Sequence, residues 1–163
     1  MAQAKSPIPE GFTSLTPHLV VKGAADAVEF YKNAFGAEEI CRMAGPDGKG
    51  VMHAEMKIGN AMFMMCDEMP MMERWVSPSK LNGTTVSMCL YVTDCDAAFN
   101  RAIQAGATES MKPVDQFWGD RYSKITDPFG HEWEICTHKE DLTPEEIGKR
   151  AEEWMANMGD CSL

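Results

Sequence analysis

A stretch of sequence that occurs twice decides the fold of this chain. Residues 19–37 read LVVKGAADAVEFYKNAFGA, and residues 90–107 read LYVTDCDAAFNRAIQAGA. Each copy has a short apolar strand, a helix with an apolar stripe, and a glycine where the helix should stop. Val21 and Val92 are 71 positions apart, whereas Gly36 and Gly106 are 70 apart, so the copies superpose with a single one-residue gap. The chain is therefore predicted to contain a duplicated unit.

The repeat extends beyond these stretches, because three strands are predicted after each helix. The strand–helix–three-strand pattern runs over residues 14–67 and again over 85–138. We therefore predict an α+β fold with two βαβββ modules and an additional C-terminal helix. The predicted division of the chain is a lead-in at 1–11, module one at 12–68, a linker at 69–84, module two at 85–140, and a C-terminal helix and tail at 141–163.

The C-terminal helix has strong signals at its start. Thr143 is the expected N-cap, Pro144 takes the first helical position, and Glu146 completes a capping box. The helix carries an apolar stripe of Ile147, Ala151, Trp154, Met155 and Met158. Packing on its own domain is one interpretation of this stripe, and covering a cavity edge or a subunit interface is the other.

Composition excludes several function classes. A net charge of −10 argues against binding to nucleic acid or to anionic membranes, and it favours a cationic small-molecule ligand. No apolar run approaches the roughly 20 residues of a membrane span, and no secretory core precedes the first module, so a cytoplasmic location is expected. The six cysteines include no C-x-x-C pair, and we expect them to be reduced thiols.

Several motifs carry a resemblance to a known family. They are the Phe-Tyr-x-x-x-Phe-Gly end of the first helix at 30–36, HAEMKIG at 53–59, QFWGDRY at 116–122 and DPFGH at 127–131. With the duplicated modules, they make residues 12–146 similar to the PhnB-like branch of the vicinal oxygen chelate superfamily. That superfamily includes glyoxalase I, extradiol dioxygenases, and the fosfomycin and bleomycin resistance proteins. The resemblance implies the glyoxalase-like fold, in which each module curls a mixed sheet into a half-cup and modules pair around a site, and we expect a homodimer.

The resemblance also implies four metal-ligand positions, one on the first and one on the last strand of each module. They fall at Thr16, at Phe63 or Met64, at Ser87 and at Glu134. Glu134 alone matches a usual metal ligand, although His18 lies two residues after Thr16 on the same strand face. We therefore expect no cofactor. The alternative is a divalent metal, such as Zn, Ni, Mn or Fe, held by His18 and Glu134.

A different metal site would combine His18, Cys89 and Glu134, whose donor atoms suit Zn²⁺. In the other interpretation, His18 hydrogen-bonds a neighbour and Cys89 is a small buried residue. Glu134 would then need a partner, for which Arg121 and Lys124 are the candidates. His53 and Glu55 are suggestive through the resemblance, but a polar cross-strand face that includes Lys57 also explains them.

The predicted ligand-binding residues are His18, Ser87, Cys89, Tyr91, Met64, Trp118 and Arg121. The Trp118 indole could stack on a flat or cationic ligand, or it could pack in the core. A methionine cluster comprises Met62, Met64, Met65, Met69, Met71 and Met72. Thioethers suit Cu(I), but an adaptable apolar wall for a cavity explains the cluster better.

These residues favour a metal-independent, small-molecule-binding protein of the resistance or sequestration type. The second hypothesis is a metal-dependent lyase or isomerase, in which an ion on Glu134 and His18 polarises a substrate carbonyl. The third is a cofactor-free enzyme in which Glu134 is the catalytic general base.

Overall fold

The computed structural model describes residues 4–46, 48–69 and 71–158 of the chain. Among the residues singled out in the sequence, Cys161 and the side chain of Met158 lie outside the described part. The start of the lead-in, Pro70 of the linker and the end of the tail lie outside it as well. The five cysteines of the described part are free thiols.

The two modules have the same order of elements. Module one contains β1 His18–Val21, α1 Ala24–Phe35, β2 Glu38–Ala44, β3 Val51–Ile58 and β4 Ala61–Asp67. Module two contains β5 Ser87–Tyr91, α3 Cys95–Ala105, β6 Thr108–Asp115, β7 Asp120–Thr126 and β8 Glu132–His138. The short α2 Pro78–Leu81 lies between the modules, and α4 Pro144–Met158 follows them. The predicted α+β fold with two βαβββ modules and a C-terminal helix is confirmed.

Each module folds into a four-stranded mixed sheet. The strand orders are β1-β4-β3-β2 and β5-β8-β7-β6, and in each sheet the first and last strands of the module pair in parallel. His18 pairs with Met64, and Cys89 pairs with Glu134. Because His18 and Cys89 are equivalent in the repeat, Met64 is the module-one equivalent of Glu134. The neighbouring Phe63 points instead into the core.

The long helix of each module, α1 or α3, has its first turn capped by a side chain from the last strand of that module. Asp67 accepts hydrogen bonds from the backbone N–H groups of Gly23 and Ala24 at 2.8 Å each, at the start of α1. Thr137 accepts one from the Cys95 N–H at 2.8 Å, at the start of α3. Each strand thus fixes where the helix of its module begins, since the first N–H groups of a helix need acceptors from outside it.

The modules pack through their helices, α1 against α3, so the core lies between the two sheets. Tyr31 is fully buried there and has its ring centroid 5.5 Å from that of Phe63 and 5.4 Å from that of Trp133. Asp127 accepts hydrogen bonds from the Tyr31 hydroxyl at 2.7 Å and from the Trp133 indole at 3.0 Å. A buried carboxylate of module two therefore joins it to module one.

Outside the modules the structure adds to the sequence prediction and corrects it. The linker contains α2, which was not predicted. Thr16 was expected on the first strand, but β1 begins at His18, and the Thr16 hydroxyl donates to the Thr13 carbonyl at 3.3 Å. The capping box is confirmed, because Glu146 accepts from the backbone N–H and the hydroxyl of Thr143 at 2.8 and 2.7 Å. Trp154 of α4 packs on Phe117, with ring centroids 5.5 Å apart.

Candidate functional site

Each sheet packs one face on the helices, and we call the opposite face its outer face. Side chains alternate between the two faces along a strand. In module two, the helix face contains buried Trp133, Ile135 and Ser123. The outer face of module two is formed by Ser87, Cys89, Tyr91, Asp120, Tyr122, Lys124, Glu132, Glu134, Cys136 and His138.

Glu134 lies at the centre of this outer face, between β5 and β7, and among the described residues its hydrogen-bond donor is a neutral hydroxyl. Its carboxylate accepts a hydrogen bond from the Ser87 hydroxyl at 2.7 Å. Burial, followed by the charge of Glu134, raises the pKa of Tyr122 to about 12. Among the ion pairs between described residues, none includes Glu134. A half-buried carboxylate is thus left without a cation.

The predicted partners of Glu134 are wrong. Arg121 lies on the helix side of β7 and donates to Asp96 of α3 through its Nε and an Nη atom, at 2.8 Å each. Arg121 pairs with Thr137. Because side chains alternate along a strand, it faces the helices, whereas Glu134 faces the outer side of the sheet. Lys124 is the direct cross-strand neighbour of Glu134, but its ammonium pairs with Glu132. Arg121 therefore lies apart from the other module-two residues of the predicted ligand set.

Asp120 organises the aromatic side chains beside Glu134. This buried carboxylate accepts from the Tyr91 hydroxyl at 2.8 Å and from the Trp118 indole at 3.2 Å, and it bonds His138 Nδ1 at 2.8 Å. The hydrogen bond that Tyr91 donates to Asp120, followed by burial, raises the pKa of Tyr91 to about 12. The Trp118 ring lies edge-on to Tyr122, with centroids 5.7 Å apart. Two of the residues predicted to bind ligand, Tyr91 and Trp118, are thus fixed by one acid that the sequence analysis missed.

Cys89 faces a second thiol on this surface. Its Sγ lies 3.6 Å from that of Cys136 on the neighbouring strand. Burial first, and then the neighbouring Cys89, raise the pKa of Cys136 well above its ordinary value. Burial raises the pKa of Cys89 as well. Both sulfurs are therefore protonated thiols at neutral pH, and they contribute surface to the outer face without being reactive nucleophiles.

His18 belongs to the outer face of module one, on the other sheet. Its ring lies 4.9 Å from that of Trp75 and 6.0 Å from that of His53, measured between centroids. Burial, followed by the charge of His53, lowers the pKa of His18. The set His18–Cys89–Glu134 is not assembled within one chain, because its donor atoms do not gather within 4.8 Å of one another.

A different donor group lies beside His18. In the part of the chain that the structure describes, Cys41, His53 and Glu55 form the one group of three such side chains whose donor atoms all lie within 4.8 Å. Cys41 is directly opposite Glu55 across the β2–β3 pair, and His53 is on the same face of β3. Partial desolvation, and then the charge of Glu55, raise the pKa of the Cys41 thiol. The sequence signal was present in the alternation of His53 and Glu55, but it did not indicate Cys41.

The four positions implied by the family resemblance do not fit a divalent metal. Thr16 precedes its strand and Met64 is a thioether, while the Ser87 hydroxyl is bonded to Glu134 itself. One carboxylate remains where a catalytic site needs about three protein ligands. The residues at these four positions therefore do not form a divalent-metal site.

Two cavities lie away from the outer face of module two. The larger, of 680 Å³, is at one edge of module one, where Met69 and Met71 of the methionine cluster line it together with Met52. Met65 of that cluster is buried in the core instead. The second cavity, of 490 Å³, lies between the modules and is lined by His18, Leu81 and His131. Neither was predicted, because both depend on how the linker folds back on module one.

None of the helices within the described ranges combines the length and the apolar character that a bilayer span requires.

Comparison with known proteins identifies the family. Residues 13–135 match the model of the Glyoxalase/Bleomycin resistance protein/Dioxygenase superfamily. An uncharacterised protein of Mycobacterium tuberculosis is 45% identical over 136 residues, which are 82% of this chain and 79% of that protein. A crystal structure from Arabidopsis thaliana has 32% identity and a TM-score of 0.60, and the match covers 77% of this chain and 98% of that one.

More distant structures agree in fold. TioX from Micromonospora sp. ML1 has a TM-score of 0.62 at 24% identity, and the match covers 77% of this chain and 98% of that one. A PhnB protein from Bacillus cereus has a TM-score of 0.59 at 16% identity, with coverages of 77% and 99%. This chain belongs to the Glyoxalase/Bleomycin resistance protein/Dioxygenase superfamily.

Proposed function

We propose that this protein binds a cationic aromatic small molecule on the outer face of module two, without a metal, in the manner of a sequestering or resistance protein. The observation that carries the proposal is the carboxylate of Glu134, which is half-buried, accepts its hydrogen bond from the neutral Ser87 hydroxyl and lies beside the Tyr122 ring. A carboxylate in these surroundings gains more from a ligand cation than a surface carboxylate does, because less water screens the pair.

The aromatic side chains supply the second half of the recognition. Trp118, Tyr91 and Tyr122 are held by Asp120 or lie against one another, so little side-chain entropy is lost when a flat ligand stacks on them. Cation–π attraction contributes about 0.5–2 kcal/mol for a well-placed ring. The net charge of −10 works in the same direction, since it attracts cations from a distance.

A second copy of the chain is part of the proposal. The outer face of module two is open in a single chain, and the two cavities described above lie elsewhere. A homodimer in which the outer face of module one covers that of module two would enclose the ligand, and it would bring His18 and Met64 of one copy towards Glu134 of the other. Sedimentation equilibrium of the full chain tests this element separately.

Isothermal titration of chelator-treated protein tests the binding. The ligands are a panel of cationic aromatic compounds, each paired with an uncharged analogue of the same shape. Glu134→Gln should weaken cation binding about tenfold, which is about 1.4 kcal/mol, and leave the neutral analogues unchanged. Glu29→Gln, which removes an exposed carboxylate of α1 away from both outer faces, is the matched control. Absence of binding by any cationic compound at about millimolar concentration would overturn the proposal.

The family also suggests a rival function, a metal-dependent lyase or isomerase acting through Glu134 and His18. Elemental analysis of protein purified without chelator tests it, combined with Glu134→Gln. A stoichiometric ion that Glu134→Gln removes would favour the rival. The third function is a cofactor-free enzyme with Glu134 as general base. It is tested by turnover of a panel of carbonyl compounds with an acidic α-proton, in the presence of chelator.

A further inference from the structure

The outer face of module one has a chemistry of its own, distinct from the ligand surface proposed above. We propose that Cys41, His53 and Glu55 form a Zn²⁺ site on β2 and β3. Its ligands come from the two strands that are not the first and last of the module, so it does not coincide with the ligand positions implied by the family resemblance. The site goes beyond the proposed function, because that function needs neither a metal nor these residues.

The backbone explains why the three donors meet. Cys41 and Glu55 are direct partners in the antiparallel ladder, and His53 follows the same face of β3 two residues earlier. The ladder is irregular between Glu39 and Cys41 and again between Met43 and Ala44. Irregularities of this kind re-aim side chains and are frequent beside functional sites. The two irregularities flank the segment 41–43, in which the Cys41 side chain is directed towards His53 and Glu55 of β3.

The distances agree with tetrahedral coordination. A Zn²⁺ ion with ordinary bond lengths separates its ligand atoms by roughly 3.4–3.6 Å. His53 Nε2 and Glu55 Oε1 are 3.5 Å apart, and all three donor atoms lie within 4.8 Å of one another. The Cys41 Sγ, within 4.8 Å of both atoms, is close enough to be the third ligand of one ion.

The donor types and their exposure also fit. Thiolate, imidazole and carboxylate are the three ligand classes of zinc, whereas Mg²⁺ and Ca²⁺ prefer oxygen alone. The side chains of His53 and Glu55 are each 26% exposed, and Cys41 is exposed, so an ion reaches them in the folded protein. Three protein ligands leave a fourth position for water or for a donor atom of a ligand. The His18 ring lies beside that of His53, with centroids 6.0 Å apart, and Trp75 packs on His18.

Module two provides an internal comparison. The residues equivalent to Cys41, His53 and Glu55 are Met111, Tyr122 and Lys124, as the shared strand registers show. A thioether, a phenol and an ammonium do not make a zinc site. Only one of the two equivalent surfaces can therefore hold the ion.

Cobalt substitution in the full, untagged and reduced chain tests the proposal. Co²⁺ should bind with a stoichiometry of one per chain and give the near-ultraviolet charge-transfer band of a cobalt–thiolate bond. Cys41→Ser should abolish the band. Cys89→Ser removes an exposed thiol from the equivalent strand face of module two, and it should leave the band intact. Circular dichroism and thermal melting of each variant establish that it is folded.

Zinc affinity, measured by competition with a chromophoric chelator, gives the magnitude. His53→Ala and Glu55→Gln should each weaken Zn²⁺ binding by more than about 100-fold, because losing merely an outer hydrogen-bonding partner costs roughly 10–100-fold. Glu134→Gln should not change it, which separates this site from the rival metal site and from the ligand surface. Persistence of the thiolate band in Cys41→Ser, its loss in Cys89→Ser, or unchanged zinc affinity in all three ligand variants would overturn the proposal.

Discussion

The two modules have one backbone plan and two chemistries. The pairs His18–Met64 and Cys89–Glu134 occupy equivalent positions of the two parallel ladders. Module two has the half-buried carboxylate of Glu134 at this position, whereas module one has the apolar side chain of Met64. Conversely, module one has a Cys–His–Glu group where module two has Met, Tyr and Lys. Duplication therefore fixed where side chains point, and the residue at each point determines what the surface can bind.

The same difference appears in the contacts that stabilise each module. A carboxylate, Asp67, caps α1, whereas a hydroxyl, Thr137, caps α3. Module two closes its last hairpin with a buried Asp127, while module one turns at exposed Gly59 and Asn60. Asp67 and Thr137, Asp127 and Asn60, and Glu68 and His138 are therefore pairs in which a substitution in one module can be compared with one in the other.

The largest effect is expected at the two hairpin turns. Asp127→Ala should lower the free energy of unfolding by about 3–5 kcal/mol, because the buried Tyr31 hydroxyl and Trp133 indole both lose their acceptor and each stranded donor costs about 1–3 kcal/mol. Asn60→Ala, at the exposed turn of module one, should cost less than about 0.5 kcal/mol. Urea unfolding followed by circular dichroism measures both.

Tyr31→Phe gives a graded version of the same test. It removes one donor and leaves the other bonds of Asp127 in place, so a loss of about 1 kcal/mol is expected. If Asp127→Ala cost no more than Asn60→Ala, the carboxylate would not be what joins the modules.

A smaller effect is expected at the helix caps, and it should be unequal. Asp67→Ala should cost about 2 kcal/mol, because the N-cap residue of α1 is Gly23, which has no side chain to replace the lost cap. Thr137→Val should cost about 1 kcal/mol, since α3 keeps a second cap from Asp94 to the Ala97 N–H. Chemical unfolding gives the totals, and amide hydrogen exchange shows which helix start opens. Equal losses in the two variants would contradict this asymmetry.

The smallest effects are expected in the pH dependence of stability, and they should have opposite signs. Glu68 follows β4, and His138 is its equivalent at the end of β8. The bonds from the backbone N–H and hydroxyl of Ser77 lower the pKa of Glu68, so its contribution is present above its ordinary value of 4.5 and is lost as the pH falls through the lowered value. Asp141 first, and then Asp120, raise the pKa of His138. Its contribution is therefore present below 6.5 and is lost as the pH rises through the raised value.

Thermal melting as a function of pH checks this prediction. The difference between wild type and Glu68→Gln should shrink only on the acid side, below about pH 4.5. The difference between wild type and His138→Gln should shrink only above about pH 6.5. A parallel change in both variants would mean that general charge repulsion, and not these two contacts, controls the pH dependence.

The sequence predicted the features that depend on neighbours along the chain. The repeat, the apolar stripe of α1 and the capping box at Thr143 were found because each is formed by residues a few positions apart. Arg121 was assigned to Glu134 because the predicted strands placed them close together. The alternation along β7 turns Arg121 to the helix side, where it binds Asp96 of α3. That partner depends on how α3 packs on the sheet, which the sequence does not show.

The candidate sites needed information from distant parts of the chain. Cys41 meets Glu55 only through a ladder register with irregularities on both sides of the segment from Cys41 to Met43. Asp120 collects Tyr91, Trp118 and His138 from separate elements. A one-residue slip would reverse every side chain on such strands, so strand pairing had to be known before these groups could be recognised.

The sequence by itself determined that this protein is a duplicated α+β chain of its superfamily with an incomplete set of the family's metal-ligand positions. Hydrophobic period, helix punctuation and residue identity are local properties and can be read directly. Tertiary structure alone decided that Glu134 has no ion-pair partner among the described residues, that Asp120 fixes the aromatic rings, and that the donors suited to zinc gather on module one. Those outcomes depend on register, on strand face and on the packing of α1 against α3, which arise only when residues far apart in the chain come into contact.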